Sequence, residues 1–261
     1  MTAHAISPRV ESRLVPAAVL AGVLAVTAAG WVVLVTRMAG MDVGPGGDPG
    51  ALGWFAITWV VMTAAMMLPG SAPAVVQAAR SRRGAATTAT AFVAAYGAVW
   101  LLVGLVGYAC VQAVRAVDVS VLAWTSAGRY VAAGAVIVAG LYQFTPHKRR
   151  WLARCLAPER HLPRPGLSGA LRAGGGHGVC CVACCGTLMV ALYALGIMSI
   201  TWMVVLTVLM AGERLVGRTS VAVAAVAVVL VALGLGIAAA PASLPGLTIP
   251  PAGHPTAMGM S

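Results

Sequence analysis

The sequence predicts an all-α protein, a polytopic bundle of about seven transmembrane helices. Of its 261 residues, 60% are hydrophobic and 9% are charged, and the mean hydropathy is +0.92. Uncharged runs long enough to cross a bilayer recur along the chain, and 31 glycines would let membrane helices pack closely. A water-soluble core cannot hide so much apolar surface, so we expect a multi-pass membrane protein surrounded by the lipid bilayer.

The first predicted span follows a short polar segment. Residues 1–13 form a cytosolic lead with Arg9 and Arg13, and residues 14–36 are uncharged. This run of about 23 residues suffices for one crossing at about 1.5 Å per residue. A cleaved signal peptide is the alternative, but signals usually have apolar runs of roughly 7 to 15 residues, so we favour a retained anchor. Gly, Pro and Asp then mark a loop over residues 37–50.

Six further apolar runs follow, bounded by basic or Gly/Pro-containing segments. The second span is expected to end at Pro69, because proline interrupts the hydrogen bonds of a helix. The uncharged stretch between Arg172 and Glu213 is too long for one crossing and about right for two, so we divide it near Gly196. The six predicted spans are residues 51–68, 88–114, 122–144, 174–195, 198–212 and 219–240.

The distribution of basic residues predicts the orientation of this transmembrane domain, residues 14–240. Fourteen of the 17 lysines and arginines fall in the N-terminal lead and in alternate loops, with the largest group in residues 145–172, expected to be a solvated loop facing the lipid headgroups. The positive-inside rule then places the N-terminus in the cytosol and the C-terminus outside. The same rule explains the net charge of +11 without nucleic acid. Residues 241–261, rich in Pro and Gly, are expected to form a flexible tail.

A cluster of sulfur and imidazole groups interrupts the fifth predicted span, in the motif His177-Gly-Val-Cys180-Cys181-Val-Ala-Cys184-Cys185. On a helix, His177, Cys181 and Cys184 fall within about 60° of one another. Imidazole and thiolate together are ligands of soft or borderline metals such as Cu(I) or Zn(II), and a dithiol of this spacing can also do redox chemistry. A buried cysteine can simply be a small hydrophobe, but four within six residues favour the metal or redox interpretation.

The predicted orientation brings four more candidate groups to the same depth, near the cytosolic face. Met66 and Met67 end a helix that runs inward, Cys155 lies in an inner loop, and Glu213 ends the sixth span. The methionines are predicted to be a thioether relay, Cys155 an exchange ligand and Glu213 a proton acceptor or a partner of the ligands. A reducing cytosol argues against a structural disulfide there.

Five blocks of sequence, in a fixed order, also carry a family resemblance. They are Ala64-Ala-Met66-Met67-Leu-Pro69-Gly-Ser-Ala-Pro73, Gly140-Leu-Tyr142-Gln143-Phe-Thr145-Pro146-His-Lys148, Cys155-Leu-Ala-Pro158, the His177 to Cys185 motif, and Gly196-Ile-Met198-Ser-Ile-Thr-Trp202-Met203 leading to Glu213. Over residues 54–218 the chain resembles the bacterial predicted metal-binding integral membrane proteins grouped as domain of unknown function 2182. The resemblance implies a multi-span protein of a bacterial inner membrane that binds metal, and no established activity.

Two departures from that family pattern bear on the cysteines. Trp151 stands where the family often has a second loop cysteine, which leaves Cys155 without that neighbour. Gly186 stands where an aromatic residue tends to follow the last cysteine pair, and Cys180 is additional. Cys180 is therefore a candidate to replace the missing loop cysteine.

We therefore predict a membrane protein that binds Cu(I), or another soft or borderline metal such as zinc, for transport, delivery or storage. His177, Cys181 and Cys184 would be ligands, with Cys185 or Cys155 as the exchange ligand. The expected partner is a metal chaperone or another membrane protein, and an enzymatic role is less favoured. The alternatives are a thiol oxidoreductase using Cys181 and Cys184, and a non-catalytic accessory subunit. A phosphate-binding loop of the Walker type is absent from the sequence, which argues against ATP-driven pumping by this chain alone.

Overall fold

The computed structural model describes residues 8–38, 49–80, 84–116, 127–157, 166–196, 199–215, 220–244 and 247. Within these residues the chain forms eight α-helices, one short 3-10 helix and no strand, which confirms the all-α prediction. The helices are α1 (Pro8–Met38), α2 (Leu52–Arg80), α3 (Ala85–Ala116), α4 (Arg129–Gln143), α5 (Pro146–Cys155), α6 (Leu167–Leu195), α7 (Ile200–Leu215), α8 (Ser220–Ala239) and the 3-10 helix Pro241–Ser243.

Four helices are long and apolar enough to cross a membrane. They are α2, α3, α6 and the part of α1 from Val15 to Met38, and α8 contains a shorter apolar stretch. Large apolar side chains lie on outer faces of α2 and α3, where Ile57 is 65% exposed and Leu102 is 63% exposed. Such surfaces suit lipid better than water. Length and composition thus support a membrane fold with four candidate spans, while the count of seven and the orientation stay predictions.

The predicted end of the second span at Pro69 is wrong. Helix α2 continues to Arg80 with Pro69 and Pro73 both inside it. Membrane helices tolerate internal prolines where neighbouring helices and hydroxyl groups make up for the lost backbone bonds. The two prolines leave the carbonyls of Ala65 and Pro69 without the usual amide donor, and α2 packs on the protein along this stretch, where residues 65–68 are buried. Met66 and Met67 therefore lie in the middle of α2 and not at its end.

The predicted break near Gly196 is confirmed. Helix α6 ends at Leu195, and Gly196 follows with φ +114°, in the region that favours glycine. Its amide donates a 3.0 Å hydrogen bond to the Leu192 carbonyl. At its other end α6 begins at Leu167 and not at residue 174, so the cysteines of the motif lie near the middle of a long helix.

The basic segment 145–172 is only in part the solvated loop that we expected, because it contains α5. Lys148, Leu152 and Cys155 are spaced i, i+4, i+7 along α5 and are all buried, whereas Arg149 and Arg150 are exposed. The correction concerns Lys148 above all, since its side chain is 0% exposed. Helix α5 thus has one face packed on the protein and one polar face.

The chain divides into two compact units. Among the described residues, the first unit contains those that fall within 1–37, 51–108 and 146–185, and the second contains those within 38–50, 109–145 and 186–261. In the first unit, α2 and α3 pack through Trp59, whose indole N–H donates a 2.7 Å hydrogen bond to the Trp100 carbonyl.

Helices α3 and α6 approach closely at two glycines of α6. A methyl group added at Gly174 would overlap the backbone carbonyl of Phe92, and one added at Gly178 would lie 2.9 Å from the Cβ of Val99. Two small residues spaced four apart on a membrane helix allow this kind of backbone approach. The pair therefore sets the distance between α3 and α6 in the part of α6 that precedes the cysteines.

In the second unit, α4 packs against α8 through small residues of both helices. A methyl group added at Gly140 would lie 3.1 Å from the Ala227 carbonyl, and one added at Gly234 would lie 2.9 Å from the Ala133 carbonyl. Glu213 of α7 belongs to this unit and is 2% exposed.

Several predicted features lie outside the described residues. They are residues 1–7 of the predicted lead, residues 122–126 of the predicted fourth span, most of the predicted tail, and Pro158 and Met198 of the sequence blocks. Helix α1 begins at Pro8, within the predicted lead.

Candidate metal centre

Three thiols of α6 come together inside the first unit. The Sγ atoms of Cys181, Cys184 and Cys185 lie within 4.8 Å of one another, and each side chain is at most 1% exposed. The spacing i, i+3, i+4 places them on adjoining positions of one helical face. Cys184 is central, because its Sγ lies 3.3 Å from that of Cys185 and 3.3 Å from the Cys181 carbonyl. We call these three residues the cysteine cluster.

Helix α5 adds a fourth sulfur. Cys155, at the end of the buried face of α5, places its Sγ 3.6 Å from the Sγ of Cys184. The structure thus brings the cysteine predicted from the basic connection next to the cysteines predicted from the fifth span. The sulfur atoms come from two helices that are separate in the sequence.

Cys180 connects α6 to α5. Its thiol donates a 3.3 Å hydrogen bond to the carbonyl of Trp151, the residue that occupies the position of the missing loop cysteine. Arg154 stacks over the Trp151 ring at 4.7 Å, and the indole N–H donates a 2.8 Å hydrogen bond to Nε2 of His147. Cys180 therefore contacts the backbone that carries Cys155.

The surroundings of Cys155 favour its neutral thiol. Helix α5 is too short to cross a membrane and lies outside the four candidate spans. The hydrogen bond with the Cys180 thiol raises the pKa of Cys155 most, and burial raises it further, while the hydrogen bond with Cys184 acts in the opposite direction. The net result is a pKa well above that of an ordinary cysteine, so Cys155 must lose a proton to bind a metal.

His177, predicted as a ligand, lies between two aromatic rings. Its ring centroid is 5.7 Å from that of Phe92 and 5.8 Å from that of Tyr96, and the side chain is 7% exposed. Its nitrogens are outside the group of ligand atoms formed by the cysteine cluster. The role of His177 as a ligand stays a prediction.

Tyr96 is a residue of this site that the sequence analysis missed. Its hydroxyl lies 3.3 Å from the Sγ of Cys181, and both side chains are buried. One signal existed in the sequence: Phe92, Tyr96 and Trp100 are spaced four apart and so form an aromatic stripe on one face of α3. Without the α3–α6 packing, nothing distinguished this stripe from ordinary core.

The remaining predicted residues are buried but not joined to the cluster by a described contact. Met66 is 4% exposed and Met67 is 1% exposed, in α2 of the first unit. Glu213 lies in the second unit, as described above. Their predicted roles in a relay and in proton transfer stay predictions.

Comparison with known proteins places the chain in a family. A family model described as PpoB2, a copper chaperone, matches residues 56–237. The chain belongs to this copper chaperone family. Neither the search of curated proteins nor that of solved structures gave a match. Membership in a copper-related family agrees with the predicted binding of metal. The matched family has a different name from the domain of unknown function 2182 group that the sequence resembles.

The donor set of the cluster suits the metal of a copper chaperone. Thiolates select soft ions such as Cu(I) over harder cations. Three sulfurs at about 2.3 Å from a common ion must lie about 4 Å apart, and the three Sγ atoms already lie within 4.8 Å. Family and geometry together therefore point to copper binding at Cys181, Cys184 and Cys185.

Proposed function

We propose that this protein is a membrane-embedded copper chaperone that holds Cu(I) with the thiolates of Cys181, Cys184 and Cys185 and exchanges it through Cys155. The observation that carries the proposal is the meeting of four buried sulfurs, from α5 and α6, in a chain of the copper chaperone family. Soft thiolates in a buried site favour Cu(I) over the hard cations that compete for it in a cell.

Loading occurs by exchange of thiolate ligands, without electron transfer. Each cluster thiol that bonds to Cu(I) loses a proton, each thiol of the donor that leaves takes one up, and copper stays Cu(I). Cys155 suits the first and last steps of this exchange because it sits at the end of the ten-residue helix α5, apart from the long helix that carries the other three. Release to a metal chaperone or another membrane protein reverses the same steps.

Other residues have supporting roles in this proposal. Met66 and Met67 supply thioethers along the path of the ion, and His177 is an additional ligand. Glu213 is a proton acceptor during loading, as the sequence suggested. Zinc, which proteins often bind through four thiolates, is the competing metal. A competition experiment between the two ions measures the preference of the site directly.

We further propose that the chain crosses a bacterial inner membrane seven times, with its N-terminus in the cytosol and its C-terminus outside. The distribution of lysine and arginine supports this orientation. Fusions of alkaline phosphatase and of green fluorescent protein to the C-terminus test it. Phosphatase activity with a dark fluorescent fusion is expected, and the opposite pattern contradicts the orientation.

Titration of the purified protein with Cu(I), against a chromogenic chelator in detergent under reducing conditions, tests the copper site. Stoichiometric binding is expected for the wild type, and its loss for Cys181→Ser/Cys184→Ser. Cys110→Ser is the matched control, because Cys110 is an exposed cysteine that is not part of the cluster. Wild-type affinity in the double variant would refute the proposed site.

A thiol oxidoreductase is the second candidate, and the 3.6 Å separation of the Cys155 and Cys184 sulfurs favours it. The activation that a helix N-terminus gives to a thiol does not apply, because Cys181 lies about four turns beyond the start of α6. Mass spectrometry of the alkylated protein, equilibrated in thiol–disulfide buffers, detects any Cys155–Cys184 disulfide. If Cys155 and Cys184 stay reduced in every buffer, including those that contain mostly oxidised glutathione, this function is excluded.

A further inference from the structure

We propose that Tyr96 is a positioning residue of the copper site, which holds the Cys181 thiolate in place by a hydrogen bond from its phenol. This inference rests on the proposed function and adds to it a residue outside every sequence motif described above. Tyr96 is 2% exposed, Cys181 is 0% exposed, and the Oη to Sγ distance is 3.3 Å.

The direction of the hydrogen bond follows from the chemistry of loading. While Cys181 is a neutral thiol, either group can donate. Once Cys181 has lost its proton it can only accept, so the phenol must donate. Hydrogen bonds from a neutral donor to a charged acceptor are stronger than those between neutral groups, and water is excluded here from doing the same.

The packing of α3 on α6 holds Tyr96 at this position. Gly174 and Gly178 let the backbone of α6 approach α3, with Gly174 against the Phe92 carbonyl. The ring of His177 packs beside that of Tyr96, with the two centroids 5.8 Å apart. The phenol is therefore placed before the metal arrives and needs no rearrangement.

The hydrogen bond from Tyr96 also distinguishes the role of Cys181 from that of Cys155. Three thiolates around Cu(I) carry a net negative charge in an apolar region, and a donor to one of them reduces the cost of that charge. Cys181 receives this donor from α3, whereas Cys155 makes its contacts with the Cys184 and Cys180 thiols. We infer that Cys181 is retained during exchange while Cys155 is the ligand that leaves.

Tyr96→Phe tests the inference, because it removes the hydroxyl and keeps the ring. Cu(I) affinity is expected to fall about tenfold or more, as for other groups that orient metal ligands. The sulfur-to-copper charge-transfer band should also shift in energy, because the hydrogen bond withdraws charge from the Cys181 sulfur. Tyr108→Phe is the control on the same helix, where the Tyr108 ring packs on Phe55 at 5.0 Å.

The outcomes separate this inference from the proposed function. Weaker binding and a shifted band in Tyr96→Phe, with Tyr108→Phe unchanged, support it. If the wild type binds Cu(I), the Cys181→Ser/Cys184→Ser variant does not, and Tyr96→Phe stays within about twofold of the wild type, only the inference is overturned. Weaker binding with a lower melting temperature and an unshifted band indicates a structural role and also overturns it. Wild-type binding by the double cysteine variant overturns both.

Discussion

Replacing Gly174 with alanine tests whether the close approach of α3 and α6 is needed for the proposed copper site. The added Cβ overlaps the backbone carbonyl of Phe92, which cannot turn aside as the end of a long side chain can. Overpacking of this kind costs about 1–3 kcal/mol, offset by the roughly 1 kcal/mol that alanine gains over glycine in a helix. We therefore expect Gly174→Ala to be less stable than the wild type by up to about 2 kcal/mol, and less stable by about 1–3 kcal/mol than an alanine variant at a glycine with open surroundings.

The same helix supplies matched controls. Gly175 and Gly176 adjoin Gly174, and an added methyl group at either one meets nothing within 4 Å. Their alanine variants should be neutral or more stable by up to about 1 kcal/mol, from helix propensity alone. Thermal unfolding of each variant in the same detergent, followed by circular dichroism, measures the differences.

The copper site should respond in parallel with stability. If α6 moves away from α3, the Oη of Tyr96 and the Sγ of Cys181 separate, and Cu(I) affinity falls for Gly174→Ala but not for Gly176→Ala. Chelator competition on the folded variants gives this affinity. A Gly174→Ala protein as stable as Gly176→Ala, with the same Cu(I) affinity, would refute the argument that glycine is needed at the contact.

Three further predictions concern other parts of the molecule. Because the pKa of Cys155 is raised, its thiol must lose a proton each time it acts as the exchange ligand near neutral pH. The rate of Cu(I) transfer from a chelator to the protein should therefore rise with pH about tenfold per unit more steeply in the wild type than in Cys155→Ser, and equal slopes would contradict this. Trp59→Phe removes a buried 2.7 Å hydrogen bond and should lower the free energy of unfolding by about 1–3 kcal/mol, whereas the same change at Trp54, which is 42% exposed, should have little effect in the same unfolding assay. Gly234→Ala overlaps α4 and should lower the melting temperature, whereas Gly134→Ala has open surroundings and should not.

Local chemistry accounts for the parts of the structure that the sequence predicted well. The long apolar helices follow from runs of Ala, Val and Leu, and the end of α6 follows from Gly196, whose positive φ suits glycine. The cysteine cluster follows from the period of the helix, because spacings of three and four residues put side chains on one face whatever surrounds them. The match to a copper chaperone family agrees with the soft-metal chemistry inferred from these cysteines.

Packing between segments decided the features that the sequence analysis misjudged. Pro69 is a helix breaker by local rules, yet α2 continues through it, because the burial of residues 65–68 within the protein offsets the lost backbone hydrogen bond. The basic segment contains α5 because burial of Leu152 and Cys155 offsets the exposure of its arginines, and this also buries Lys148. Local rules could not foresee either result, since both depend on partners distant in the chain.

The amino-acid order was sufficient to define helices and to align thiols on one of them, because both depend on bonds and contacts within a few residues. It could not show that Cys155 reaches Cys184 or that Tyr96 faces Cys181, which are 29 and 85 residues apart in the chain. Tyr96 reaches Cys181 because Gly174 and Gly178 let α3 pack closely on α6. Cys155 reaches Cys184 because one face of α5 is buried against the protein. The fourth sulfur and the phenol of the proposed copper site are therefore products of tertiary packing.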